Sequence, residues 1–340
     1  MSVALRHLHS LDDRSRAEVE ALLDRAARLK AGEAVGSLDG RSIVLLFLAP
    51  SLRTRVSMEL AGKQLGAHVV TLQAGGGLWA IETREGVVMD GVAAEHISEA
   101  ARVLSRYGDL LALRAFPSRS SWQEDARDET LRGVMRHATV PVLNLESSLY
   151  HPCQALADLL TLREQLGARR GKVVLSWTNH PKALPVAVPN SFALAATQLG
   201  WDLTIARPEG YSLPDEVMAR CRSHAEAAGS KLEETADREA AAEGAIAVYA
   251  KSWGRLDRYG ETERELEERR AAGLARWIVD EPFMRRTDEA IFMHCLPVRR
   301  GVVVSDGVID GARSRVFDQA ENRLHVQKAI LLDQLEGTHA

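Results

Sequence analysis

The 340-residue chain predicts an α/β protein of two doubly wound parallel-sheet domains, with a C-terminal helix packing back across both. Three observations carry that reading. Short aliphatic or β-branched runs alternate with longer amphipathic stretches, as in βα units. The runs are apolar almost throughout, as strands covered by helices on both faces must be. The length suits about two domains at roughly 150 residues each.

The N-terminus, MSVALRHLHSLDDRSRAEVEALLDRAARLK, is charged throughout, which fits a first helix at 14–29 and not the apolar core of a signal peptide. A strand follows at 42–48, then a helix at 54–65 and a strand at 68–73. Helix 91–107 leads into strand 109–114, and helix 121–136 into strand 140–144. A long helix at 152–166 opens the second half. Further strands are expected at 172–176, 202–206, 245–250, 277–280, 290–294 and 315–317, with helices at 213–228 and 319–335. Residues 183–201 carry no charge, but Pro185, Pro189, Asn190, Ser191, Thr197 and Gln198 argue against a membrane span. The expected division is 1–148, 149–318 and a returning helix at 319–340.

Composition narrows the function. With 43 basic and 47 acidic side chains the net charge is -4, a balance that gives no support to a nucleic-acid protein and argues against an anionic-membrane binder. Cys153, Cys221 and Cys295 are an odd number without metal-ligand spacing, so neither a disulfide framework nor a zinc site is expected. The expectation is a cytoplasmic enzyme or binding protein.

Three segments at strand ends carry chemistry. After the strand at 42–48 come Ser51-Leu-Arg-Thr-Arg55 and a helix. A helix N-terminus beside two hydroxyls and two arginines suits a phosphate, because orphan amides, the helix dipole and guanidinium forks all favour an anion. The second is His151-Pro-Cys-Gln154, with Pro152 suited to the first helical position. The third is His294-Cys-Leu-Pro297, followed by Arg299.

Together and in this order, these motifs resemble those of the aspartate/ornithine transcarbamylase family, across essentially the whole chain. The resemblance implies that carbamoyl phosphate is held by Ser51, Leu52, Arg53, Thr54, Arg114, His151 and Gln154, the Cys295 and Leu296 carbonyls, and Arg323. Among these, Arg114, His151 and Cys295 are the catalytic candidates. It also implies a homotrimer with shared active sites, and no metal or cofactor.

The amine substrate is read from departures. The ornithine enzymes carry an Asp-x-x-x-Ser-Met-Gly loop where this chain has Lys251-Ser-Trp-Gly254, and an aspartate enzyme would show Pro-Leu-Pro at the third motif. Lys251-Ser-Trp-Gly254, His180-Pro-Lys-Ala-Leu-Pro185 and Val188-Pro-Asn-Ser-Phe192 look like the N-acylornithine branch, as does Trp79 after a glycine run at 75–77. In that branch the tryptophan reaches into a neighbouring subunit's site, which implies that Trp79 joins the carbamoyl phosphate contacts from the adjacent chain, and the backbone is knotted around the proline-bearing loop. A blocked α-amine needs no aspartate partner, whereas the free α-carboxylate wants a cation such as Lys251 or Arg299. Ala94, Glu146, His180, Lys251, Leu296 and Arg299 are the expected acylornithine contacts.

Ala94 stands where N-acetyl enzymes place a glutamate, and a carboxylate there would repel a succinyl group. The Glu146-to-His151 spacing and Val303, where some acetyl enzymes have a modifiable lysine, point the same way. The expected reaction is carbamoyl transfer to the δ-amine of N-succinylornithine, giving an N-acylcitrulline for arginine biosynthesis. N-acetylornithine is the alternative, then free ornithine. A dinucleotide-dependent oxidoreductase would need a glycine fingerprint that is not found. A phosphate-binding regulatory protein would be expected to have lost parts of the motifs.

Overall fold

The computed structural model describes residues 5–76 and 78–336, so Gly77, in the expected glycine run, lies outside the described residues. The chain divides into two compact units. One comprises Met1–Ser118, Gln123–Cys153 and Arg323–Ala340; the other comprises Arg119–Trp122 and Gln154–Asn322. The change of unit falls between Cys153 and Gln154, inside helix Pro152–Leu166, rather than at the expected 148/149. The chain re-enters the first unit at Arg323, inside helix Val316–Leu335.

The first unit holds β1 (Ser42–Phe47), β2 (His68–Gln73), β3 (Ile81–Glu82), β4 (Glu95–His96), β5 (Leu110–Arg114) and β6 (Val142–Glu146). Its main sheet runs β2-β1-β5-β6 with every pair parallel, while β3 and β4 form a separate short pair. Every residue of β5 is buried, and so is all of β1 after Ser42, which is why these strands read as unbroken apolar runs. Ile97, Ala101, Leu131 and Val134 from two helices pack on Val44, Leu46, Leu111 and Leu113. On helix Arg53–Gln64, Gly62 lies against Ile43 and Val69 with no room for a side chain. Strand order reverses between β1 and β5, and ligands of such sheets bind beyond the carboxyl ends at that switch.

The second unit holds β7 (Lys172–Trp177), β8 (Asp202–Ala206), β9 (Leu232–Thr235), β10 (Ala245–Lys251) and β11 (Ile291–Met293), ordered β11-β10-β7-β8-β9 and all parallel. Its switch lies between β7 and β10. The uncharged run at 183–201 is explained here: helix Ala187–Gln198 is buried along its whole length. Among the described residues no helix is long and apolar enough to cross a membrane.

Several expected elements differ. Trp277 N–H closes a turn onto Leu274 O at 3.0 Å, and Val279 makes a single bridge to Val304, so 277–280 is not a strand. The run at 315–317 is the start of helix Val316–Leu335, with Arg315 N–H donating to Phe292 O at 2.9 Å. Helix 91–107 starts only at Ile97, after β4. Helix 121–136 breaks into Trp122–Asp125 and Glu129–His137 around Asp128, whose φ of 53° is left-handed. The polar strand Leu232–Thr235 and the β3/β4 pair had no apolar run to announce them.

Candidate active site

In the first unit, the turn after β1 delivers Ser51 to the N-terminus of helix Arg53–Gln64, where its Oγ accepts the Thr54 N–H at 3.1 Å. No acidic residue occupies the helix's first turn, so its positive end is not neutralised from within. Thr54 is buried, and its Oγ1 accepts from Arg323 Nη2 at 2.9 Å. Arg55 is engaged elsewhere, bonding Glu59 at 3.1 Å and Gln73 at 2.6 Å. Leu48 N–H donates to Arg114 O at 2.9 Å, which joins this turn to the end of β5.

Arg114 is buried, ion-paired with Glu146, and lies 4.4 Å from the Phe116 ring centroid. Glu146 also lies 3.5 Å from His151 Nε2. Glu146, expected among the acylornithine contacts, thus stands with Arg114 and His151 in one polar cluster. Its φ is 144°, and its N–H donates to Asn144 Oδ1 at 2.9 Å. The approach to His151 is held by Asp128, which accepts from Ser147 Oγ and Ser148 N–H and meets His9 Nε2 at 2.7 Å. Sequence reasoning missed Asp128, because it lay within a stretch that reads as continuous helix. Leu52, Trp79 and Ala94 are exposed and outside these bonded groups.

In the second unit, Gln154 Nε2 donates to Asp158 Oδ1 at 2.8 Å. The third motif is pinned at both ends of a tight turn: His294 N–H donates to Gln319 Oε1 at 2.9 Å, and Leu296 N–H to His294 Nδ1 at 2.9 Å. Leu296 has a left-handed φ of 52° and precedes a cis Pro297. A left-handed non-glycine residue costs on the order of 1–3 kcal/mol, and such residues cluster at functional sites. Cys295 is half-buried, unlike Cys153 and Cys221, whose thiols burial pushes up to about 11 and about 12. Those two are packing groups.

The β7/β10 switch carries His180 and Lys251. His180 Nδ1 accepts the Lys182 N–H at 3.0 Å. Its pKa falls to about 4, first through burial and then through the positive charges of Lys251, Arg299 and Arg269. The structure thus places Lys251 and Arg299 in one positive field with a neutral His180. Arg269 staples the surrounding loops, donating to Tyr211 Oη, His180 O, Trp253 O and Glu265. Gly254 N–H adds a bond to Leu184 O at 2.9 Å.

A phosphate-suited helix end in one unit and a cationic strand-end patch in the other agree with a domain-by-domain match. Residues 6–164 match the aspartate/ornithine carbamoyltransferase carbamoyl-P binding domain, and residues 186–333 match the Asp/Orn binding domain. The chain belongs to the aspartate/ornithine carbamoyltransferase family. This carbamoyltransferase is 44% identical over 333 residues to the N-acetylornithine carbamoyltransferase of Xanthomonas campestris pv. campestris, covering 97% of each chain. It is 36% identical to the N-succinylornithine carbamoyltransferase of Bacteroides thetaiotaomicron, covering 87% of this chain and 88% of the relative. Two solved structures of N-acetyl-L-ornithine transcarbamylase, with a glutamate replaced by proline or by alanine, are complexed with carbamyl phosphate and N-succinyl-L-norvaline. They match with TM-scores of 0.93 and 0.92, each at 45% identity, covering 97% of this chain and 100% of theirs.

Proposed function

We propose that this carbamoyltransferase carbamoylates the δ-amine of an N-acylated L-ornithine, and that the acyl group is succinyl. The observation that carries the choice is Ala94, a small neutral residue where the resemblance to N-acetyl enzymes calls for glutamate. A succinyl group ends in a carboxylate, which an added carboxylate would repel and a methyl side chain admits. It is in keeping that the structural neighbours complexed with an N-succinyl ligand have lost a glutamate. A second reading, N-acetylornithine, is favoured by the 44% identity to the Xanthomonas enzyme.

On this reading the first unit binds carbamoyl phosphate, the second binds the acylornithine, and the C-terminal helix returns to the first. Ser51, Leu52, Arg53, Thr54 and Arg323 clamp the phosphate. Arg114 and His151 polarise the carbonyl where charge grows in the tetrahedral transition state. Gln154 and the Cys295 and Leu296 carbonyls orient the NH2 group. Glu146, His180, Lys251 and Arg299 hold the second substrate, whose α-carboxylate pairs with the cations. The neutral amine forms the C–N bond, the C–O bond to phosphate breaks, and the amine proton leaves with the phosphate. That amine has a pKa of about 10.4 by analogy with lysine, so turnover rises with pH into the alkaline range. The active form is a homotrimer in which Trp79 serves the neighbouring subunit's site.

The test is phosphate release from carbamoyl phosphate with succinylornithine, acetylornithine, ornithine and aspartate, for the unsubstituted enzyme and for Ala94→Glu. Preference for succinylornithine, inverted by the substitution, is expected. Turnover of acetylornithine alone by the unsubstituted enzyme would establish the second reading.

A further inference from the structure

We propose that His9, which lies outside all three motifs, is a positioning residue that fixes the turn carrying Glu146 and His151. The proposal rests on the reading above that His151 polarises the carbonyl, and it names what holds that group in place. The N-terminal segment delivers His9 to the flank of β6. Leu8 N–H donates to Val142 O and Leu8 O accepts from Asn144 N–H, each at 2.9 Å, so Leu8 lies as a parallel neighbour of Leu143.

The turn needs holding. Glu146 has a φ of 144°, which a non-glycine residue keeps only where its surroundings over-determine it. Three successive backbone N–H groups are tied down there. Glu146 N–H donates to Asn144 Oδ1 at 2.9 Å, Ser147 N–H to Tyr150 O at 2.9 Å, and Ser148 N–H to Asp128 Oδ1 at 3.1 Å. His9 touches all three anchors. Its carbonyl oxygen accepts from Asn144 Nδ2 at 2.8 Å, which turns the other end of that amide, the acceptor, toward Glu146 N–H. Its ring meets Tyr150 edge-on, with centroids 5.0 Å apart. Its Nε2 lies 2.7 Å from Asp128 Oδ2, a bond that exists whichever partner carries the proton. Ser147 Oγ accepts from Asn144 Nδ2 at 3.1 Å and from Tyr150 N–H at 3.4 Å, so its own hydroxyl proton points at Asp128. One residue near the N-terminus thus braces the segment that sets Glu146 against Arg114 and beside His151.

The experiment measures kcat, KM for carbamoyl phosphate and thermal melting for His9→Phe, which keeps a ring edge for Tyr150 and loses the bond to Asp128. Turnover is expected to fall about tenfold, as loss of one well-placed hydrogen bond does, while KM holds, because His151 acts on charge that grows only in the transition state. His9→Gln, whose amide can again meet Asp128, should recover most of the loss. His7→Ala is the control for a merely structural role. It removes the Nδ1 that accepts Val142 N–H at 3.0 Å, at the start of β6, and should lower the melting temperature without touching kcat. Should His9→Phe fail to fold, the smaller apolar His9→Leu takes its place under the same criteria. In a His151→Ala background the His9 substitution should add less than about twofold. The same factor in both backgrounds, or equal losses of kcat in the His7 and His9 variants, overturns the proposal. A crippled His151→Ala enzyme beside an indifferent His9→Phe overturns this proposal alone. Full turnover by His151→Ala overturns it together with the reading on which it rests.

Discussion

His180 shows how much of a site residue's character lies outside its own motif. Its place in His180-Pro-Lys-Ala-Leu-Pro185 is legible in the sequence, but its charge state is not, because that is set first by burial and then by the charges of Lys251, Arg299 and Arg269, far along the chain. Folded His180 titrates near 4 against an ordinary 6.5, so between those values the unfolded chain takes up a proton that the folded one refuses. Its contribution to stability is complete above pH 6.5 and falls as the pH drops through 6.5 toward 4. His180→Gln should flatten the melting temperature against pH within that window, and an unchanged slope would remove His180 as the titrating group. Asp128 and Asp158 were illegible for the same reason. Asp158 meets Gln319 at a separation of 161 residues, a distance over which spacing carries no signal.

At the scale of elements, the strands that were legible are, β2 apart, those buried on both faces, and the misread ones are short or polar. The segment at 277–280 has Trp277 and Val279 in the core but meets its neighbours through a turn and one bridge, so burial alone imitated a strand. The helix that presents Ser51, Arg53 and Thr54 was legible as a helix; how closely it packs was not. A Cβ on Gly62 would lie 2.6 Å from Val69 Cγ2 and 3.2 Å from Ile43 Cδ1. Gly62→Ala gains helix propensity of about 1 kcal/mol. Overpacking against a β-branched side chain that is stiff at χ1 costs about 1–3 kcal/mol, so the clash should win. The variant should melt several degrees lower and, on the proposed reading that this helix end clamps the phosphate, bind carbamoyl phosphate more weakly. A higher melting temperature would mean that the sheet yields and the packing is loose.

At the scale of the whole molecule, the exposed apolar residues ask for a neighbour. Leu52, Val56 and Leu60 recur every fourth position along helix Arg53–Gln64, one face of its surface, at 74%, 52% and 42% exposure. Trp79, at 71%, is similarly uncovered. A single exposed apolar side chain is ordinary, but a helical stripe of three is the signature of a contact surface. If Trp79 serves a neighbour's site while Arg53 serves its own, the two can be separated by complementation. Trp79→Ala and Arg53→Ala homo-oligomers should each be nearly inactive. Mixed by co-expression or by reversible dissociation, they should regain activity, because a hybrid can pair an intact Arg53 on one chain with an intact Trp79 on the next. Random assembly of equal amounts in a closed ring restores about a quarter of the sites. Recovery near that level, together with a trimer mass by light scattering, is the expected result. No recovery from hybrids of that mass would place Trp79 in the service of its own chain.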